Sequence, residues 1–296
     1  MIEVAAAVLQ RPDGAFLLAQ RPAGKVYAGY WEFPGGKIER GEAAGAALAR
    51  ELHEELGIDI GEAYPWLTRV YTYPHGTVRL QFFRVYEWQG EPHPREDQAI
   101  SWQQPGASMA APMLPANAPI LAALALPDEY AVTNAAQYGT AAMLSRMETR
   151  LRQGLKLIQV REPGFAQRDA FTRQAIELAH RYGCKVMVKE PFPGADGIHY
   201  TAAELMKLKK KEEEGLSAAS CHTREELERA RALGLDFVVL GPVRDKSPAL
   251  GWDKFRELAH LASIPVYAIG GLTRDDLPDA RRAGAHGIAM IRGAWT

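Results

Sequence analysis

Three glutamates, Glu51, Glu54 and Glu55, stand at positions i, i+3 and i+4 of a segment whose apolar residues Ala47, Leu48, Leu52 and Leu56 recur at helical spacing. A helix there puts three carboxylates on one face. Like charges so placed repel, and hard oxygen donors gathered in this way suit a hard divalent cation, Mg²⁺ or, as the alternative, Mn²⁺. Such a cation beside a phosphate neutralises its charge and activates water for attack on phosphorus. Upstream, the glycines of Gly35-Gly36-Lys37 let the chain bend close to phosphate oxygens. Arg50 can pair with a neighbouring glutamate to hold the acidic face in register, and Gly57 is placed to end the helix. A Glu-rich helix face is more often simply solvated, so these residues alone leave both readings open.

The spacing narrows the choice. Gly36, Glu42, Arg50-Glu51-Leu52, Glu54-Glu55 and Gly57-Ile58 agree with every fixed position of the Nudix box, and the first half of the chain is identified on that motif as resembling the Nudix hydrolases. The resemblance implies an α/β/α sandwich and cleavage of nucleoside diphosphates linked to another moiety. It also implies metal ligands at Glu51, Glu54 and Glu55, completed by the Gly35 carbonyl, with Arg50 and Glu42 supporting the catalytic set.

The flanks Arg21, Trp31-Glu32-Phe33-Pro34, Gly90-Glu91-Pro92, Glu96 and Pro115–Ile120 resemble the MutT-type branch, the 8-oxo-dGTP diphosphatases, over roughly residues 2–126. By that resemblance Asn117 reads the purine edge, Phe33 and Tyr73 wall the base pocket, Arg21 and Lys37 face phosphate, and Glu96 adds a carboxylate to the metal site. An amide that both donates and accepts suits base recognition. The residues also allow a plainer reading in which Asn117 caps a helix, Phe33 and Tyr73 are core, and Arg21 is on the surface. His53 reads as a solvent-facing helix residue and His75 as part of a turn.

In the second half, Ile158–Glu162, Gly194–His199, Ser220-Cys221-His222-Thr223, Gly241-Pro242-Val243 and Ala268–Gly271 together resemble thiamine phosphate synthase and its thiazole tautomerase relatives. The resemblance implies a ligand site, for a phosphorylated thiazole or pyrimidine, drawn from Gln159, Arg161, Glu190, His222, Gly270 and Gly271. Paired glycines before a helix can cradle phosphate on backbone N–H groups, and a histidine titrates in the range of acid–base work. The departures are as telling. Pro163, Lys189-Glu190 and Glu204 stand where a synthase has a lysine, an Asn-Asp pair and an aspartate, and the phosphate loop is reduced to Arg244-Asp245-Lys246-Ser247. Full synthase activity is therefore not expected, and the barrel is read as degenerate; the alternatives are a bifunctional protein, with a Nudix unit for another substrate such as a different dNTP or a thiamine-related diphosphate and an active thiamine-biosynthesis barrel, and a barrel that is a non-catalytic phosphate-ligand sensor or scaffold. His199 and Cys221 read as packed residues at strand ends.

These residues need elements to position them. From Glu3 to about Gln104, short strands (Val4–Leu9, Ala15–Gln20, Trp66–Tyr73, Val78–Trp88, Ile100–Trp102) surround the one strong helix, with Pro12-Asp13-Gly14 as a hairpin turn and a second helix within Pro115–Leu126. Pro127-Asp128 closes that pattern, so the expected domains are 1–128 and 129–296. Beyond it, eight short apolar strand candidates alternate with amphipathic helices, the grammar of a compact (β/α)8 TIM-like barrel. The charged run from Lys207 to Glu214 reads as a solvated helix end and loop.

The 296 residues are enough for two cores, and 35 Lys+Arg against 36 Asp+Glu leave a net charge of −1. A polymeric nucleic acid or an anionic membrane surface is thus an unexpected partner. Two distant cysteines exclude a disulfide framework, the N-terminus lacks a basic signal-peptide start, and no apolar run spans a bilayer. A cytoplasmic location is expected.

Overall fold

The computed structural model describes every residue except 108, 109, 213, 246 and 247, and divides into two compact units, Met1–Leu126 and Pro127–Thr296. The first contains strands β1 (Ile2–Leu9), β2 (Phe16–Gln20), β3 (Trp31–Glu32) and β4 (Gly35–Lys37), helix α1 (Ala44–Leu56), strands β5 (Asp59–Ile60), β6 (Ala63–Tyr73), β7 (Gly76–Val85), β8 (Trp88–Gln89) and β9 (Ile100–Gln103), and helix α2 (Ala118–Leu124). Its main sheet has the order β4-β1-β7-β6, with β1 and β7 parallel and the other pairs antiparallel.

Strand alternation explains the layering. Ala5, Ala7 and Leu9 of β1 face one way and pack with Leu48, Leu52 and Leu56 of α1, whereas Ala6 and Val8 face the other way and pack with Ile120 and Leu124 of α2. The sheet is buried on both faces, giving the α/β/α sandwich. Each fully buried leucine of α1 contributes about 1.5–3 kcal/mol of apolar burial, and the helix ends at Gly57, whose φ is +68°.

Three details differ from the sequence reading. Pro12-Asp13-Gly14 does turn, with the Ala15 N–H donating to Asp13, but only the Gln10–Phe16 bridge joins the two arms. The reason is that β2 pairs with β3 and β9 in a separate sheet. The strand expected to run to Trp88 ends at Val85, and Trp88–Gln89 pairs instead with Asp59–Ile60. The short strands β3, β4, β5 and β8 carry too few residues to show a period.

The second unit is a closed parallel barrel of β10 (Glu129–Val132), β11 (Leu157–Gln159), β12 (Lys185–Val188), β13 (Gly197–Tyr200), β14 (Leu216–Cys221), β15 (Phe237–Leu240), β16 (Val266–Ile269) and β17 (Gly287–Met290). Helices α3 (Ala135–Tyr138), α4 (Thr140–Arg152), α5 (Arg168–His180), α6 (Ala202–Lys207), α7 (Arg224–Ala232), α8 (Gly251–Ala262) and α9 (Leu277–Arg282) lie between the strands. Inside, Tyr130, Phe237, Tyr267 and His286 stack edge to face or tilted at 5.1–5.3 Å from ring to ring along the chain of contacts, and fill the barrel axis. After β17 only the single turn Arg292–Ala294 follows, tied down where Arg150 Nε donates to Ala294 O and Trp295 Nε1 to Val132 O. Lys207 ends α6 and the charged run beyond it is largely exposed, with Glu213 outside the described residues. Among the described residues no helix is long and apolar enough to cross a membrane.

Candidate active sites

Helix α1 presents Glu51, Glu54 and Glu55 opposite its leucine face, and Arg50 organises two of them. Its guanidinium makes paired bonds to Glu42 (3.0 Å each) and single bonds to Glu51 (2.9 Å) and Glu54 (3.4 Å), and it also donates to the Lys37 carbonyl. Glu42 in turn accepts from the Glu39 N–H. These charge-assisted bonds hold the Glu42 carboxyl below its ordinary range and push the Arg50 guanidinium up.

Gly36 makes room for this arrangement. A Cβ there would lie 2.1 Å from the Glu51 carboxylate, so the backbone of β4 cradles that group at a distance only glycine permits. Gly35, at φ +142°, sits with equal closeness against the Ala5 carbonyl, which places it beside the acidic face.

Glu55 points another way. With Glu32, Glu96 and Gly35 it lines a cleft of about 20 Å³, the size of one or two waters or an ion. Burial, then the charges of Glu96 and Glu51, raise its carboxyl to about 7. Glu32 is also raised by burial, although Arg21 grips it with two bonds of 2.7 and 2.9 Å. Lys25 pairs with Glu96 at 3.1 Å. Glu32, Lys25 and Gln98 escaped the sequence reading as site residues. Gln98 is buried, accepts from the Glu96 N–H and donates to the Glu55 carbonyl, so it fastens the Glu96 loop to α1. The only sequence signal for Glu32 was its place in Trp31-Glu32-Phe33-Pro34.

Among the described residues no group of three acidic, histidine or cysteine side chains is gathered at ligand geometry, because Arg50 holds Glu51 and Glu54 while Glu55 faces the cleft. The donor set nevertheless fits a hard divalent cation: all its side-chain donors are carboxylate oxygens, a glycine cradle holds one of them, and burial together with the neighbouring Glu96 and Glu51 charges leaves Glu55 in want of positive charge.

The remaining sequence candidates fall in several places. Phe33 is buried between Phe16 and Phe82, which makes its ring core packing. Tyr73 is nearly covered and belongs to a cluster with Tyr27, Tyr71 and His75. Arg21 is bound to Glu32, and Lys37 is exposed. Asn117 is buried and makes no capping bond to α2; among the described residues its amide reaches only Met113 Sδ, at 3.9 Å. His53 is exposed and meets Asp59 at 2.8 Å.

In the barrel, a cavity of about 1030 Å³ opens among the C-terminal ends of the strands. Gln159, Arg161, His222, Gly270 and Gly271 line it, whereas Glu190 does not and stands exposed beside Lys189. Lys189 lines the cavity and pairs with Glu204 at 3.3 Å. His222 Nδ1 lies 2.6 Å from the Gly241 carbonyl, which can only accept. The ring therefore donates through Nδ1 to that carbonyl. Glu226, the N3 member of the capping box that opens α7 at Thr223, also accepts from the His222 N–H and so fixes its backbone. Asp245 lies against Gly271 and accepts from Arg292 at 2.7 Å, while Lys246 and Ser247 of the same loop lie outside the described residues. Cys221 is fully buried, and burial pushes its thiol up to about 12.

The two units match two families. A family model described as NUDIX domain matches residues 5–123, and one described as thiamine monophosphate synthase matches residues 129–294. The chain is 42% identical over 125 residues to the CTP pyrophosphohydrolase of Escherichia coli (strain K12), covering 42% of this chain and 90% of that one. It is 39% identical over 121 residues to the 8-oxo-dGTP diphosphatase of Haemophilus influenzae, covering 41% and 89%. With the thiamine-phosphate synthase of Caldicellulosiruptor saccharolyticus it shares 32% over 159 residues, covering 48% and 71%. The chain belongs to the thiamine monophosphate synthase family through its barrel and to the Nudix hydrolases through its N-terminal unit. It is a Nudix pyrophosphohydrolase joined to a thiamine phosphate synthase-like barrel.

Proposed function

We propose that the N-terminal unit hydrolyses 8-oxo-dGTP and water to 8-oxo-dGMP and pyrophosphate, in sanitation of the nucleotide pool, with Mg²⁺ as its cation. The observation that carries the reading is the Arg50–Glu42–Glu51–Glu54 network over the Gly36 cradle, beside the cleft of Glu55 and Glu96. A divalent cation held by Glu51, Glu54, Glu55 and the Gly35 carbonyl, with Glu96 nearby, would supply charge neutralisation of the triphosphate and an acidified water. Arg50 keeps two carboxylates on the metal face and Glu42 keeps Arg50 in place. Gly36 and Lys37 border the phosphate path, and Asn117, with an amide unspent on the α2 cap, is the group that reads the base.

The likeness to a CTP pyrophosphohydrolase supports a second substrate reading, a pyrimidine triphosphate at the same centre. The test is kcat/KM for 8-oxo-dGTP, dGTP, CTP and thiamine diphosphate, with and without Mg²⁺. Preference for 8-oxo-dGTP over dGTP and CTP is expected. A preference for CTP shifts the substrate, and turnover that survives both metal removal and Glu54→Gln overturns the mechanism.

For the barrel we propose binding of a phosphorylated thiazole or pyrimidine without synthase turnover. Arg161, Lys189 and Arg292 around the cavity favour an anion, and Gly270-Gly271 offers backbone N–H groups to phosphate. Glu190, at the position equivalent to a synthase's Asn-Asp pair, is not among the residues that line the cavity. Isothermal titration of the full chain with 4-methyl-5-(2-hydroxyethyl)thiazole phosphate, followed by a synthase assay, checks this: heat without product is expected, heat with product restores the synthase, and no heat leaves a scaffold.

A further inference from the structure

Tyr130 on β10, His199 on β13 and Ser220 on β14 all reach the barrel cavity, and their polar atoms form one chain. Tyr130 Oη lies 3.0 Å from His199 Nδ1, and His199 Nε2 lies 2.9 Å from Ser220 Oγ. Tyr130 is fully enclosed and His199 is 4% exposed, so the protons of the chain have to be satisfied within it.

A neutral imidazole allows two patterns. With the proton on Nδ1, the ring donates to Tyr130, and the tyrosine needs another acceptor for its own O–H. Among the described residues the Tyr130 hydroxyl has no hydrogen-bond partner other than His199, so that pattern strands a buried donor. With the proton on Nε2, Tyr130 donates to Nδ1, Nε2–H donates to Ser220 Oγ, and every enclosed group is satisfied. Burial supports the neutral ring by pushing His199 down to about 3.

The second pattern leaves one proton over, that of the Ser220 hydroxyl, whose acceptor side is already taken by His199. We infer that Tyr130 and His199 wire Ser220 as a directed hydrogen-bond donor into the cavity, so that the barrel selects a ligand presenting an acceptor atom, such as an unprotonated ring nitrogen, against β14. His222 lies two residues further along the same strand's exit and lines the same cavity, and because its Nδ1 is spent on the Gly241 carbonyl, Nε2 is the acceptor its neutral tautomer would offer there. The wall thus offers a donor at Ser220 and an acceptor at His222, complementary to a planar heterocycle that carries an acceptor nitrogen and a proton-bearing position on one edge.

The ligand half of this inference rests on the proposed barrel reading, but the wiring does not. Two-bond proton–nitrogen spectra of the full chain labelled at its eight histidines, taken without ligand and assigned by loss of a signal in His199→Gln, report the tautomer directly. The Nε2–H form is expected; the Nδ1–H form overturns the wiring. Titration then compares the thiazole phosphate with its isosteric thiophene analogue, which lacks the ring nitrogen. The chain should favour the thiazole by about tenfold, and Ser220→Ala should erase the preference through weaker thiazole binding. An equal affinity in the parent chain, or a preference that survives Ser220→Ala, overturns the selectivity. Absence of binding by both probes sinks the barrel reading and the ligand half with it, while the tautomer is decided by the spectrum alone.

Discussion

Gly36 and Glu51 form the tightest functional contact in the N-terminal unit, and the cost of disturbing it falls on function before stability. In Gly36→Ala the new methyl meets the far end of a flexible side chain, which can move aside, yet that end is the group proposed to hold metal. We expect near-parental melting with a fall in Mg²⁺-dependent turnover on the order of 10²-fold, the scale of losing one charge-stabilising group; unaltered Mg²⁺ dependence would separate Glu51 from the metal. His199 gives a second residue-scale prediction. Its folded value of about 3 lies below the ordinary 6.5, so the unfolded chain takes a proton that the native chain does not. Its stabilising contribution is complete above pH 6.5 and is lost as pH falls from there towards 3. Urea unfolding at pH 7 and pH 5.5 should show about 1 kcal/mol less stability at the lower pH from this group, a component missing in His199→Gln. The acidic face of α1 was legible in the sequence because a helix makes spacing into geometry. Glu32 and Gln98 were not, since each reaches the cleft only through strand pairing or a loop fastened from afar.

Helix α1 carries both the chemistry and much of the packing of its unit. Leu52 lies between Glu51 and Glu54 in sequence but on the opposite face, fully buried against β1. Leu52→Ala should cost about 2–5 kcal/mol, read as an earlier thermal transition, with KM for nucleotide little changed in the folded fraction. An unchanged melting profile would mean that the helix is not anchored as described. At this scale α1 and all eight barrel strands could be read from period and length, because each buries a regular face. The two- and three-residue strands β3, β4, β5 and β8 could not, because pairing partners far along the chain define them. Phe33 shows the same limit: its aromatic ring suited a base pocket as well as a core, and only the fold reveals that it packs between Phe16 and Phe82.

Across the whole molecule, two anion sites use opposite electrostatics. The proposed hydrolase face is acidic and would meet phosphate through a cation, whereas the barrel cavity is bordered by Arg161, Lys189 and Arg292, with Glu204 and Asp245 bonded to two of these. Chelation with EDTA should therefore abolish nucleotide hydrolysis and leave thiazole phosphate affinity within about twofold, the spread expected when no ligand-binding group is lost. A parallel loss of both would show that the barrel also relies on a metal. The sequence by itself determined the two fold classes, the acidic helix and its glycine cradle, and the barrel's departures from a synthase, because these depend on local period and fixed spacing. Only the tertiary structure decided which of the candidates share a cavity, that Glu190 is outside it, and that Tyr130, His199 and Ser220 form one proton chain. The two bonds of that chain join residues 69 and 21 positions apart, and their distances are set by barrel closure, which no local pattern encodes.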